Sequence, residues 1–129
     1  YDVIVDCTDN LATRLLMNQY CVRLKKPMVH GAVYRYEGQV SVFHAVVGPC
    51  YQCLFPQPPD EKYIPDPAKN GLLSTAPGVV GVIMATEVLK LLLGIGLPLI
   101  GRLLVIDLLA MRFQELHLKK NKNCPVCAH

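Results

Sequence analysis

The rhythm of apolar and polar positions changes along the chain, and each change predicts a new element. Tyr1-Asp2-Val3-Ile4-Val5-Asp6-Cys7 is a short β-branched run that ends in polar residues, the pattern of a strand buried on both faces. Thr8-Asp9-Asn10 supplies helix N-caps, after which Leu11, Ala12, Leu15, Leu16, Met17, Cys21, Val22 and Leu24 recur at helical spacing. Lys25 and Lys26 suit the negative end of the helix dipole, and Pro27 stops the helix. Met28 to Tyr34 reads as the next strand. The chain therefore opens β-α-β, a unit of parallel neighbouring strands joined by a right-handed crossover.

Arg35-Tyr36-Glu37-Gly38 predicts a turn. Gln39 to Val47 then alternates, with Val40, Val42 and Val46 on one face and Ser41, Phe43 and Ala45 on the other, as in a hairpin or meander. Residues 54 to 77 hold Pro56, Pro58, Pro59, Pro65, Pro67 and Pro77, and a loop of that length in a compact domain is usually functional or mobile. Gly78 to Gly94 predicts a helix that is apolar nearly all round, with Thr86, Glu87 and Lys90 as a narrow polar stripe. Such a helix is covered by the sheet or by a partner. Gly94, Gly96 and Pro98 close it. Arg102 to Asp107 and Met111 to Leu118 read as two last strands, joined near Leu108-Leu109-Ala110.

Composition narrows the picture. The 129 residues fit one domain, and with 52% hydrophobic and 18% charged residues a core forms readily. A net charge of +3 with dispersed basic residues argues against nucleic acid; Lys119, Lys120 and Lys122 read as a solvated tail. The most apolar stretch, Val79 to Leu93, is interrupted by Glu87 and Lys90 and falls short of the ~18–20 apolar residues of a membrane span. The opening at Tyr1, inside a strand and without an initiator Met, is the pattern expected of a piece of a longer protein.

The six cysteines carry the most specific chemistry. Cys50-Tyr51-Gln52-Cys53 and Cys124-Pro125-Val126-Cys127 are two CxxC pairs, and thiolates in such turns bind Zn²⁺ tetrahedrally. In a core-rich chain this pattern points to a metal and a reducing cytoplasm, not to a secreted disulfide framework. A closed Cys₄ shell leaves no position for water, so the predicted zinc is a structural clasp between distant segments. The alternative is two independent redox pairs or unbound thiols. Cys7 and Cys21 read as core residues.

Asp9 stands where the first strand gives way to the first helix. Ligands in open α/β sheets bind beyond the carboxyl ends of strands. A carboxylate there can hold Mg²⁺ beside nucleotide phosphates, against a helix N-terminus. From the residues alone, a plain N-cap role for Asp9 or Asn10 is the stronger reading. Asp107 and Glu115 are expected to make structural pairs with Arg102 or Arg112, and His30 and His44 to be satisfied strand residues. No Ser-His-Asp spacing, Walker loop or GxGxxG is present.

Asp6-Cys7-Thr8-Asp9-Asn10, Arg14, Asn18, Gly31-Ala32, Glu37-Gly38-Gln39-Val40, Cys50/Cys53, Gly78-Val79-Val80-Gly81, Glu87 with Lys90, and Cys124/Cys127 follow one another in an order that resembles the C-terminal half of MoeB/ThiF-type adenylyltransferases, the bacterial relatives of ubiquitin-activating enzymes. The resemblance covers essentially the whole of residues 1–129. It implies an α/β fold: half of a Rossmann-like ThiF domain, a mixed sheet with flanking helices and a Cys₄ zinc site. It implies adenylation, with Mg·ATP, of the C-terminal glycine carboxylate of a small ubiquitin-like sulfur carrier ending in Gly-Gly, in molybdopterin or thiamine biosynthesis, by a cytoplasmic homodimer. Asp9 would hold the Mg²⁺–triphosphate, Asn10 would lie against the nucleotide, and Cys50, Cys53, Cys124 and Cys127 would ligate zinc. The loop from Leu54 to Pro77 would be the crossover segment near the carrier's tail.

Two departures shape that expectation. The family's glycine-rich phosphate loop, ribose-binding acidic residue and phosphate-neutralising arginine or lysine are absent, and such positive groups supply much of the rate. By itself the chain is expected to be inactive. Some relatives also carry a cysteine in the crossover loop, whereas Leu54 to Pro77 has none, which favours adenylation without covalent transfer of the carrier. The competing reading is a non-catalytic zinc-clasped module for protein binding or dimerisation.

Overall fold

A computed structural model describes residues 1–55 and 71–128. Five strands form one mixed sheet in the order β1-β2-β3-β4-β5. They are β1 (Ile4–Asp6), β2 (Met28–Tyr34), β3 (Glu37–Phe43), β4 (Arg102–Asp107) and β5 (Arg112–His117); the helices are α1 (Leu11–Arg23), the single turn α2 (Tyr51–Leu54) and α3 (Ala76–Leu93). β1 pairs parallel with β2, setting Asp6 beside His30, so the predicted β-α-β opening is present. All later pairings are antiparallel.

The β2–β3 hairpin turns through Arg35-Tyr36, where Arg35 takes a φ of 53°. Its register sets Gly31 against Val40 and Met28 against Phe43. Side chains alternate across the pleat. Val29, Val40, Val42 and Ile106 meet Val80 and Met84 of α3 on one side. Met28 and Phe43 meet Cys21 and Tyr51 on the other. Helix α3 thus covers one face of the sheet, and α1 with α2 covers the other.

Two glycines let α3 lie directly on the strands. A Cβ at Gly31 would run into the Met84 sulfur, and one at Gly38 into Val80 Cγ2. Gly94, at φ 64°, ends the helix in the left-handed conformation with its N–H on the Lys90 carbonyl. The predicted helix limits, 78 and 94, differ from the observed ones by a residue or two.

Several expectations change in the folded chain. Strand β1 is not buried on both faces: it lies at the sheet's edge and Val5 is exposed. Cys7 is exposed, not a core residue, because β1 ends one position earlier, whereas Cys21 is buried as expected. The strand predicted over Gln39 to Val47 stops at Phe43, where the chain turns at His44 through bonds from Val47 N and Gly48 N to the His44 carbonyl. His44 therefore lies past the strand, and its Nδ1 has no hydrogen-bond partner among the described residues.

Helix α3 also exceeds the apolar length read from the sequence. Its 18 residues reach a mean hydropathy of 1.8, enough by length and composition to cross a membrane. One face packs on the sheet through Ala76, Val80, Met84 and Glu87, while only 22% of the helix is buried. Glu87 Oε1 accepts the Leu99 N–H at 2.7 Å, and Lys90 pairs with the same carboxylate. The opposite face, with Val82, Leu89 and Leu92, is exposed. Most of the predicted loop, residues 56–70, lies outside the described residues.

Candidate functional site

The corner between β1 and α1 is built around Asp6, which is wholly buried. Its Oδ1 accepts the Thr8 N–H at 3.0 Å and the Thr8 hydroxyl at 2.6 Å. Its Oδ2 accepts Arg14 Nε at 2.8 Å and faces His30 Nδ1 at 3.1 Å. Burial raises the Asp6 carboxyl, but the bonds from His30 and Thr8 and the charge of Arg14 outweigh it and hold the group at about 2. His30 is buried too, and burial pushes its imidazole below the usual 6.5 against the bond to Asp6. The neutral ring with its proton on Nδ1 satisfies both sides, since Nε2 then faces Gln39 Nε2 at 3.5 Å as an acceptor.

Asp9 and Asn10 follow on this corner. The Asn10 side chain accepts the Thr13 N–H at 2.8 Å and caps α1, so the structural reading of Asn10 is realised. Asp9 is exposed, and among the described residues nothing bonds its carboxylate. The two are adjacent at the carboxyl end of a parallel strand and the start of a helix, the place where α/β sheets bind ligands.

Some 40 residues later in sequence, the two CxxC pairs meet. The four sulfurs lie within 4.8 Å of one another: Cys50–Cys124 at 3.6 Å, Cys53–Cys127 at 3.3 Å and Cys50–Cys53 at 3.9 Å. Sulfurs joined in a disulfide sit about 2.05 Å apart. A tetrahedron of Zn–S bonds near 2.3 Å has edges of roughly 3.8 Å. The donor set thus fits one thiophilic cation and not disulfides. Burial raises the Cys50 and Cys127 thiols. At Cys124, backbone N–H groups of Cys127 and Val126, with its neighbouring thiols, outweigh burial and lower it.

Asn18 joins this centre to α1. Its Nδ2 donates to Cys50 Sγ at 3.6 Å and its Oδ1 accepts the Tyr51 N–H at 2.9 Å. The Tyr51 ring in turn packs against His30, Phe43 and Phe55 and lies 5.9 Å from the Arg14 guanidinium. The predicted charge pair is present at Arg102–Glu115, 3.0 Å. Asp107 instead caps the last turn through Leu109 N and Ala110 N.

The residue-by-residue reading did not single out the Asp6–Arg14–His30 set. Arg14 lies in the first turn of α1, eight residues after Asp6 at the end of β1, and nothing in that spacing announces the pair. His30 is reached through strand pairing alone.

A mixed sheet with an acidic strand-to-helix corner and four converging thiols defines an α/β domain with a cysteine cluster that could hold a metal ion. The chain belongs to the ThiF family, which it matches over residues 1–126. It is 49% identical over 132 residues to a sulfur carrier protein adenylyltransferase of Thermus thermophilus, covering 98% of this chain and 49% of that protein. It is 48% identical over 126 residues to a SAMP-activating enzyme E1 of Haloferax volcanii, covering 98% of this chain and 46% of that one. The chain therefore spans about half the length of these relatives. Its fold is that of E. coli MccB, solved with ATP, at a TM-score of 0.80 and 19% identity over 99% of this chain and 40% of that one.

Proposed function

We propose that this chain is the carrier-binding, dimer-forming half of an adenylyltransferase that activates the C-terminal glycine carboxylate of a small ubiquitin-like sulfur-carrier protein. The observation that carries this reading is the exposed Asp9 carboxylate on a fixed strand-to-helix corner, in a chain 49% identical to a sulfur carrier protein adenylyltransferase. ATP supplies the adenylyl group, and pyrophosphate leaves. Asp9 holds Mg²⁺ against the phosphates, and the N-terminal turn of α1 behind Asn10 presents its dipole to them.

The portion of the relatives that lies outside this chain supplies the remaining phosphate contacts, so residues 1–129 alone are inactive. The absence of a cysteine between Leu54 and Pro77 favours adenylation without a covalent carrier intermediate. Cys50, Cys53, Cys124 and Cys127 hold a structural Zn²⁺ that fastens the C-terminal segment to α2. The exposed apolar face of α3 supports assembly as a homodimer. Six unpaired thiols suit a reducing cytoplasm.

The test is pyrophosphate exchange by the intact protein with Mg·ATP and a Gly-Gly-ended carrier. Exchange by the unsubstituted protein and its collapse in Asp9→Ala are expected. Full exchange in Asp9→Ala would remove Asp9 from the site. Carrier binding with no exchange at all would leave a non-catalytic zinc-clasped module.

A further inference from the structure

Thr8 is held at three atoms. Its N–H and hydroxyl both donate to Asp6 Oδ1, and its carbonyl accepts from the Arg14 guanidinium at 2.6 Å. Asp6 in turn is fixed to the sheet by its pairing with His30. Asn10, on the other side of Asp9, is held by its cap bond from Thr13 N and by the Arg14 N–H on its carbonyl at 3.3 Å. Asp9 is the one residue between two pinned neighbours, and its own carboxylate has no partner among the described residues.

Stability alone does not call for this arrangement, because a buried ion pair is often no more stabilising than apolar residues of the same volume. What the bonds fix is the backbone on either side of Asp9, and with it the direction in which the Asp9 Cα–Cβ bond leaves the chain. Arg14 is suited to that task. Its planar fork reaches the Asp6 carboxylate and the Thr8 carbonyl at once, which a lysine cannot do, and its guanidinium lies over the Tyr51 ring.

We infer that Asp6, Arg14 and Thr8 are positioning residues that aim the Asp9 carboxylate at a divalent cation held on a nucleoside triphosphate. The inference rests on the reading of Asp9 given above and extends it to the groups behind it. Groups that orient a metal ligand typically change metal affinity ten- to a hundredfold when substituted.

The experiment measures pyrophosphate exchange by the intact protein as Mg²⁺ is varied at saturating ATP and carrier. Arg14→Lys and Thr8→Val are compared with Thr8→Ser, which keeps the hydroxyl. Thermal midpoints are recorded alongside. Arg14→Lys and Thr8→Val should raise the half-saturating Mg²⁺ by about tenfold or more, and Thr8→Ser should restore it to within about twofold of the unsubstituted value. Thr8→Val serves where Arg14→Lys does not fold. A loss of exchange equal at every Mg²⁺ concentration, following the fall in thermal midpoint, would show a merely structural role and overturn this inference alone. No exchange by the unsubstituted protein would overturn the functional reading and this inference with it.

Discussion

Asp6 Oδ2 and Arg14 Nε meet at 2.8 Å, with the aspartate side chain fully buried and the arginine side chain 13% exposed. The pair closes the corner that carries Asp9, and it binds folding to the ionisation of one carboxyl group.

That carboxyl titrates at about 2 in the folded chain against an ordinary 3.8. The folded state therefore holds the proton less tightly than the unfolded state. The associated stability, about 2 kcal/mol, is present above pH 3.8 and is lost as pH falls from 3.8 towards 2. Urea unfolding between pH 5 and pH 2 should show this loss. In Asp6→Asn that limb should flatten, and the stability at pH 7 should drop by roughly 3–5 kcal/mol because Arg14 is left without its partner.

His30 behaves in the same sense at a higher pH. Its folded value lies below 6.5, so the unfolded chain binds the extra proton and stability declines as pH falls below 6.5. At pH 7.5 the ring should be neutral with its proton on Nδ1, which its ¹H–¹⁵N imidazole spectrum reports. A neutral ring protonated on Nε2 instead would contradict the bonding described for Asp6 and Gln39.

The two glycines beneath α3 should differ in their tolerance of a methyl group. Gly31→Ala meets Met84, an unbranched side chain that can rotate away, whereas Gly38→Ala meets Val80 Cγ2, and valine is stiff at χ1. Gly38→Ala should cost about 1–3 kcal/mol and Gly31→Ala less. Chemical denaturation of the two variants in parallel checks the order, and a reversal would mean that the helix, not the side chain, gives way.

Removal of the proposed zinc should act at a distance in sequence. The protein should contain about one zinc ion per chain. Chelation, or Cys124→Ser, should speed amide exchange in residues 119–128 far more than in β2 and β3, since the tail from Lys119 onward belongs to no strand or helix. Equal protection with and without the ion would mean that packing alone holds the tail.

Much of this fold is legible in the sequence because its elements carry clean periods. The β-branched runs, the stop at Pro27 and the closure at Gly94 each act locally, so they fix β2, α1 and α3 to within a few residues. The four cysteines were readable as a group because CxxC spacing itself aims two sulfurs at one point. The rest depends on contacts that cross the chain. Nothing local to His30 says that it will face Asp6, and nothing in Asn18 announces Cys50, 32 residues away. Val5 and Cys7 are exposed against the expectation for a related reason: apolar character does not reveal whether a strand lies inside a sheet or at its rim. Helix α3 was read as apolar all round, and only packing decides which of its faces meets the strands.

The sheet's outer members, β1 and β5, have a practical consequence. Among the described residues, each presents a rail of backbone donors and acceptors without a neighbour in the sheet, with Val5 on one and Phe113 and Leu116 on the other exposed beside it. Such rails invite further strands to add. A second copy pairing at one rail would leave another rail open, so edge-to-edge addition has no built-in end point and the solubility of the chain turns on what covers those edges.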